Sequence, residues 1–129
     1  MARILIAEDE EGLRGLVARA LTRDGHTVTT ANDGAEALEL MTREQGGFEL
    51  LLTDIRMPIM DGIALALAVA RDHPHISILL MTGYADQRER ASGLDALIHD
   101  VIAKPFSLPT IRNAVKDALA ASRAPATAH

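Results

Sequence analysis

At 129 residues, 48% hydrophobic and 24% charged, the chain suits one compact soluble domain with a sizeable core and leaves no room for a second module of ordinary size. The formal charge of -5 argues against broad phosphate-backbone binding, which depends on clustered Lys and Arg, so nucleic acid is not expected as a direct partner. With no cysteine, disulfides, thiol catalysis and thiolate metal sites are excluded together.

The first predicted element is the apolar run Ile4 to Ala7. It lacks period-two alternation, as a central parallel strand covered on both faces should. It is far too short for a signal peptide or a membrane span and acidic residues follow at once, so the expected location is cytoplasmic, with no membrane partner. Leu13, Leu16, Val17, Ala20 and Leu21 share one face of a helix ending before Gly25, a good residue for a left-handed stop. His26 to Thr30 is β-branched and alternates polar with apolar, which places a strand at a sheet edge. Asn32 and Asp33 are candidate N-caps for a second helix that turns Ala35, Leu38 and Met41 inward and closes at Gly46-Gly47. Leu50 to Leu52 is a second core strand, and it leads to Asp54.

A third helix begins near Asp61, its segment Ile63 to Ala70 apolar nearly all round. Ile76 to Met81 reads as another core strand. The segment Gln87 to Leu97 is polar, contains Gly93 and has few inward anchors, so a mobile helix is expected there. Val101 to Ala103 gives a fifth strand, stopped where Pro105 removes a ladder donor. Leu108, Ile111, Val115, Ala118 and Leu119 recur at helical spacing after Ser107 as cap, with Pro109 in the first turn, where proline is tolerated. Residues 1–121 therefore read as one domain and 122–129 as a short flexible tail.

Strand and helix alternate five times, which with right-handed crossovers predicts an α/β domain: a single doubly wound (βα)5 flavodoxin-like fold with a parallel sheet. The polar strand at one edge favours the order 2-1-3-4-5. Ligands in such sheets bind beyond the carboxyl ends of the strands at the switch point, here between the first and third strands.

Glu8-Asp9, Asp54, Thr82 and Lys104 all fall at that rim. Taken alone, the acidic pair reads as a solvated helix N-terminus, Thr82 says little, and a Lys before Pro is usually a surface residue. Together, residues of this chemistry ending four different strands point to a functional site. Carboxylates about 4 Å apart repel by about 4 kcal/mol at an effective dielectric near 20. Lys104 can offset part of that, and a hard divalent cation such as Mg²⁺ (or Mn²⁺) with oxygen ligands offsets more. Such a site favours phosphoryl chemistry, with aspartate as nucleophile.

The segments Ile4 to Glu10, Leu51 to Gly62 (LLTDIRMPIMDG), Leu79 to Gly83 and Ile102 to Phe106 (with AKPF) resemble the response-regulator receiver domain, the CheY-like family, over about residues 2–121. The details are also similar to the CpdR-like single-domain receivers, which act as adaptors in proteolysis. The resemblance implies phosphorylation of Asp54 by a histidine kinase or histidine phosphotransfer protein. Asp9 would ligate Mg²⁺ directly, Glu8 mostly through water, and the backbone carbonyl of Arg56 would add a ligand, while Thr82 and Lys104 would hold the phosphoryl oxygens. It also implies a cis bond between Lys104 and Pro105, a state that only about 5–6% of X–Pro bonds adopt. The implied output is a protein effector, protease machinery among the options, or a homodimer, bound on the face built from the fourth helix, fifth strand and last helix.

Two positions depart from the family pattern. Glu8-Asp9 stands where Asp-Asp is commoner, and Val101 stands three residues before the lysine, where many receivers carry a switching Tyr or Phe. Tyr84 is the candidate for a different aromatic readout, and Arg56 with Tyr84 is expected to slow hydrolysis by crowding out water. The chain thus reads as a stand-alone phosphoacceptor regulator whose only catalysis is its own phosphorylation and dephosphorylation. A haloacid-dehalogenase-type phosphatase would want a second acid where Arg56 stands. A flavin binder would want a phosphate-cradling glycine loop after the first strand, and none is present. A phosphate-independent scaffold with a vestigial site is the remaining alternative.

Overall fold

The apolar runs become the centre of a five-stranded parallel sheet because each must bury both of its faces. In the computed structural model, which describes residues 2–83 and 91–123, the elements follow as β1 (Arg3–Ala7), α1 (Glu11–Arg23), β2 (Thr27–Ala31), α2 (Gly34–Arg43), β3 (Leu50–Asp54), α3 (Gly62–Asp72), β4 (Ser77–Thr82), a 3₁₀ turn (Ser92–Leu94), β5 (Asp100–Ala103) and α4 (Leu108–Arg123). The sheet order is β2-β1-β3-β4-β5, the predicted flavodoxin-like order. Successive side chains along a strand point to opposite faces, and the core divides accordingly. Leu5, Ala7, Leu51, Ile78 and Leu80 pack against α2 and α3, whereas Ile4, Ile6, Leu50, Leu52, Leu79 and Met81 pack against α1 and α4. β2 and β5 are the partly exposed edges.

Each α-helix starts on a side-chain cap. Glu10 accepts the Leu13 N–H at α1, and Asp61 accepts that of Ala64 at α3. Ser107 Oγ accepts the Thr110 N–H at α4. At α2 the capping is reciprocal: Asp33 accepts the Glu36 N–H at 2.8 Å while Glu36 accepts that of Asn32 at 3.0 Å. Beyond α1, Gly25 takes the left-handed conformation, with φ 94°.

Three local expectations change. Leu16 lies on the predicted inner face of α1 but is 43% exposed, because the stripe is wider than the surface it covers. On α2 the deepest side chains are Ala37 and Met41, with Ala35 and Leu38 only half-buried. Of the helix expected over Gln87 to Leu97, residues 87–90 lie outside the described residues, and Ser92–Leu94 forms a 3₁₀ turn.

Candidate functional site

A parallel sheet brings the carboxyl ends of its strands to one edge. β1 leads into Glu8 and Asp9, β3 ends on Asp54, β4 on Thr82, and β5 leads into Lys104. The pairings Ala7 with Thr53, Asp54 with Met81, and Thr82 with Ala103 bring these ends level. Glu8, Asp54 and Thr82 are 1%, 5% and 3% exposed, and Asp9 is exposed.

Carboxylate oxygens of Glu8, Asp9 and Asp54 lie within 4.8 Å of one another, and among the described residues no other acid, His or Cys side chains gather three together in this way. The Lys104 ammonium sits between two of them, with Nζ 2.9 Å from Glu8 Oε1 and 3.2 Å from Asp54 Oδ1. The Ile55 N–H also donates to Asp54 Oδ1, at 3.1 Å, and the Glu10 N–H donates to Glu8 Oε2 at 3.1 Å.

One lysine does not neutralise three buried or crowded acids, and the proton affinities follow. Burial pushes the Glu8 carboxyl up to about 7, against the downward pull of the Lys104 and Glu10 hydrogen bonds, and the Asp54 charge adds to the rise. Burial raises Asp54 too, opposed by Lys104 and aided by Asp9. For Lys104 burial acts downward, but the Glu8 hydrogen bond and the Asp54 and Glu8 charges outweigh it and hold the ammonium above its ordinary range. A cluster of hard oxygen donors short of positive charge fits a hard divalent cation.

The site opens into a cavity of about 640 Å³. Arg56 is exposed and lines it, as do Glu10, Leu13 and Phe106, for which the sequence offers no separate signal beyond the AKPF motif. The Lys104–Pro105 bond is cis, as the family resemblance implies. Val101 is half-buried beside the cluster under α2 and α3, and Tyr84 lies outside the described residues. Gly62, the last residue of the LLTDIRMPIMDG segment, has a role of its own: a Cβ there would collide with the main chain of Asp54 and Ile55.

Residues 4–116 match the family model described as the response regulator receiver domain. The response regulator receiver protein CpdR of Brucella abortus is 38% identical over 122 residues, covering 95% of this chain and 100% of that protein. The sensor kinase CckA of the same organism is also 38% identical, over 92% of this chain but only 12% of its own length. Among solved structures, a CheY-like receiver domain protein from Methanospirillum hungatei superposes with a TM-score of 0.86 at 27% identity, covering 95% of this chain and 96% of that one. The response regulator TrrA of Thermotoga maritima, solved in complex with Mg(2+)-BeF, superposes with a TM-score of 0.79 at 28% identity over 91% of this chain and 98% of its own. A family match along most of the sequence, joined to the sheet order and the acidic rim, leaves one conclusion: the chain belongs to the response-regulator receiver domains of two-component signalling.

Proposed function

We propose that Asp54 is the phosphoacceptor of this receiver and that a histidine kinase or histidine phosphotransfer protein is its donor. The observation that carries the reading is the Lys104 ammonium held 2.9 Å from Glu8 and 3.2 Å from Asp54 at the mouth of an acidic cavity. In the transfer, an Asp54 carboxylate oxygen attacks phosphorus, the O–P bond forms, and the P–N bond of the phosphohistidine breaks with its electron pair returning to the imidazole. The described contacts fall on Oδ1, which favours Oδ2 as the attacking oxygen. Lys104 holds a phosphoryl oxygen by charge-assisted hydrogen bonding, and the Thr82 hydroxyl holds another.

Glu8, Asp9, Asp54 and the backbone carbonyl of Arg56 would hold Mg²⁺ (or Mn²⁺), which when bound supplies positive charge against the phosphoryl oxygens. The acid cluster and the Mg(2+)-BeF complex of the related TrrA support that assignment. Arg56, at the cavity wall, would restrict the approach of hydrolytic water, and Tyr84, which lies outside the described residues, is the second candidate for that role. The output is a protein contact, with an effector such as protease machinery or a second copy of the chain, on the face that carries β5 and α4. No described helix is long and apolar enough to cross a membrane, and a cytoplasmic site of action accords with this reading.

The test is incubation with a small acyl phosphate and Mg²⁺ followed by intact mass, with Asp54→Asn as control. The gain of one phosphoryl group by the wild type alone is expected. No gain from any donor would favour a scaffold with a vestigial site.

A further inference from the structure

The two acids of the β1–α1 loop differ in how they are held. Glu8 is fixed from several sides: its N–H donates to Ala31 O at 3.2 Å, Oε1 accepts from Lys104 and Oε2 from the Glu10 N–H. Asp9 is exposed, and among the described residues none donates a hydrogen bond to its carboxylate. Its direction is therefore set by the main chain beneath it, above all by the peptide plane that joins it to Glu8.

That plane has a dedicated contact. Arg14, half-buried on α1, donates from Nη1 to the Glu8 carbonyl oxygen at 2.8 Å. The Glu8 carbonyl and the Asp9 N–H belong to one rigid planar unit, so a bond to the oxygen fixes the whole plane and with it the start of the Asp9 side chain. Rotation of this plane would swing Asp9 while leaving Glu8, tied through its carboxylate, nearly in place. The donor is a guanidinium, which makes the bond stronger than a neutral one.

We infer that Arg14 is a positioning residue for the metal site: it orients the Glu8–Asp9 peptide so that both carboxylates face the same ion. The inference rests on the metal-assisted reading above and adds a residue to it. It differs from a simple charge effect in sign. A bystander cation beside three carboxylates weakens divalent-cation binding by repulsion, so its removal should tighten that binding. Loss of an orienting contact should loosen it, by about tenfold on the scale of other outer contacts to metal ligands.

The experiment is calorimetric titration of Mg²⁺ into the wild type, Arg14→Gln and Arg14→Lys well below their unfolding temperatures, with the Asp9 amide resonance followed by NMR in EDTA. Arg14→Gln is expected to bind Mg²⁺ about tenfold more weakly and to shift the metal-free Asp9 amide, with Arg14→Lys falling between it and the wild type. A merely structural contact would lower the urea midpoint without changing the affinity of the folded protein. Unchanged or tighter binding by Arg14→Gln overturns the inference. Should that variant fail to fold, an Arg14→Lys protein matching the wild type in both affinity and Asp9 resonance overturns it, whereas weaker binding with a shifted resonance supports it. A wild type that binds no Mg²⁺ refutes the metal-assisted reading and this inference with it, an outcome distinct from equal binding by wild type and variant.

Discussion

Gly62 lies so close against the main chain of Asp54 that it leaves no room for a Cβ, and its N–H donates to the Ile55 carbonyl at 2.7 Å. The start of α3 is thereby docked onto the end of β3, and the loop between them, Ile55 to Asp61, is closed at its base. Since the obstructing atoms are backbone, they cannot swing aside as a side chain could. Gly62→Ala should destabilise the protein by about 3 kcal/mol, at the upper end of overpacking costs, and should reduce phosphorylation of Asp54 in the fraction that stays folded. Gly15→Ala is the control: it lies within α1, and its Cβ would meet only the flexible end of Arg19. That change should stabilise by about 0.5–1 kcal/mol through helix propensity. Urea denaturation of both variants decides; a Gly62→Ala protein as stable as the wild type would show that the main chain gives way to a Cβ at no cost.

Much of this architecture is legible in the sequence, for physical reasons that also mark where legibility ends. Asp54, Thr82 and Lys104 are readable because each stands at the end of a mainly apolar run, and parallel topology sends the ends of all such runs to one rim. Caps such as Asp33, Asp61 and Ser107 are readable because they act within three or four residues. The Gly62 contact is not, since nothing local tells which backbone will lie against a glycine. Arg14 is equally silent, because an arginine whose partner is a main-chain carbonyl looks like any solvated arginine on a helix. The inward register of α2 is blurred because alanines at 35 and 37 offer no contrast in size.

The ion pair between Asp24 and Arg112 joins the end of α1 to α4, with Nε 2.9 Å from Oδ2 and Nη2 2.6 Å from Oδ1. Asp24 is the C-cap of α1, where a negative charge opposes the helix dipole, so the paired arginine offsets a local cost. The Arg112 hydrogen bond, against a smaller opposing effect of burial, holds the Asp24 carboxyl below its ordinary value. A depressed carboxyl contributes stability that is fully present above its unfolded pKa of about 3.9 and is lost as pH falls through the folded value. Both groups are solvent-accessible, which keeps the favourable coupling small at neutral pH. A double-mutant cycle with Asp24→Asn and Arg112→Ala should therefore give that coupling at pH 7 and a smaller one as the pH is lowered below 4. A coupling that grew in acid would have the wrong sign for a depressed carboxyl.

The reciprocal cap at α2 makes a separate prediction. Asp33→Ala removes the acceptor of the Glu36 N–H and leaves the Glu36 carboxylate with its bond from the Asn32 N–H. A loss of about 1 kcal/mol is expected from urea unfolding, while Asp33→Ser, which keeps an acceptor, should recover most of it. An Asp33→Ala protein as stable as the wild type would show that the cap contributes nothing.

Arg56 is exposed at the wall of the cavity that holds the Asp54 carboxylate, and on the reading proposed above its bulk would restrict the path of water toward a phosphoryl group. Truncating both Arg56 and Tyr84 to Ala should shorten the phosphoryl lifetime severalfold while leaving the extent of initial labelling by a small acyl phosphate little changed. Mass measurements taken at intervals after removal of the donor give that lifetime. A lifetime unchanged or lengthened in the double variant is incompatible with crowding.

Ile59 presents a different balance. It is 84% exposed and takes a left-handed backbone conformation with φ 72°, a region in which a β-branched side chain crowds its own backbone. The conformation costs roughly 1–2 kcal/mol, and an exposed side chain recovers almost none of it through burial. The loop is held at both ends, by the Ile55 N–H bonded to Met81 O and by Gly62 against Asp54, so closure imposes the strain on whatever residue stands at its apex. Asparagine tolerates this conformation without the full entropy that glycine regains on unfolding, so Ile59→Asn should stabilise by about 1 kcal/mol and Ile59→Gly by somewhat less. Because Ile59 does not line the cavity, acyl-phosphate labelling of Asp54 should be unaffected in either variant. Urea midpoints that fell in both would mean that the exposed isoleucine makes a stabilising contact outweighing its backbone cost.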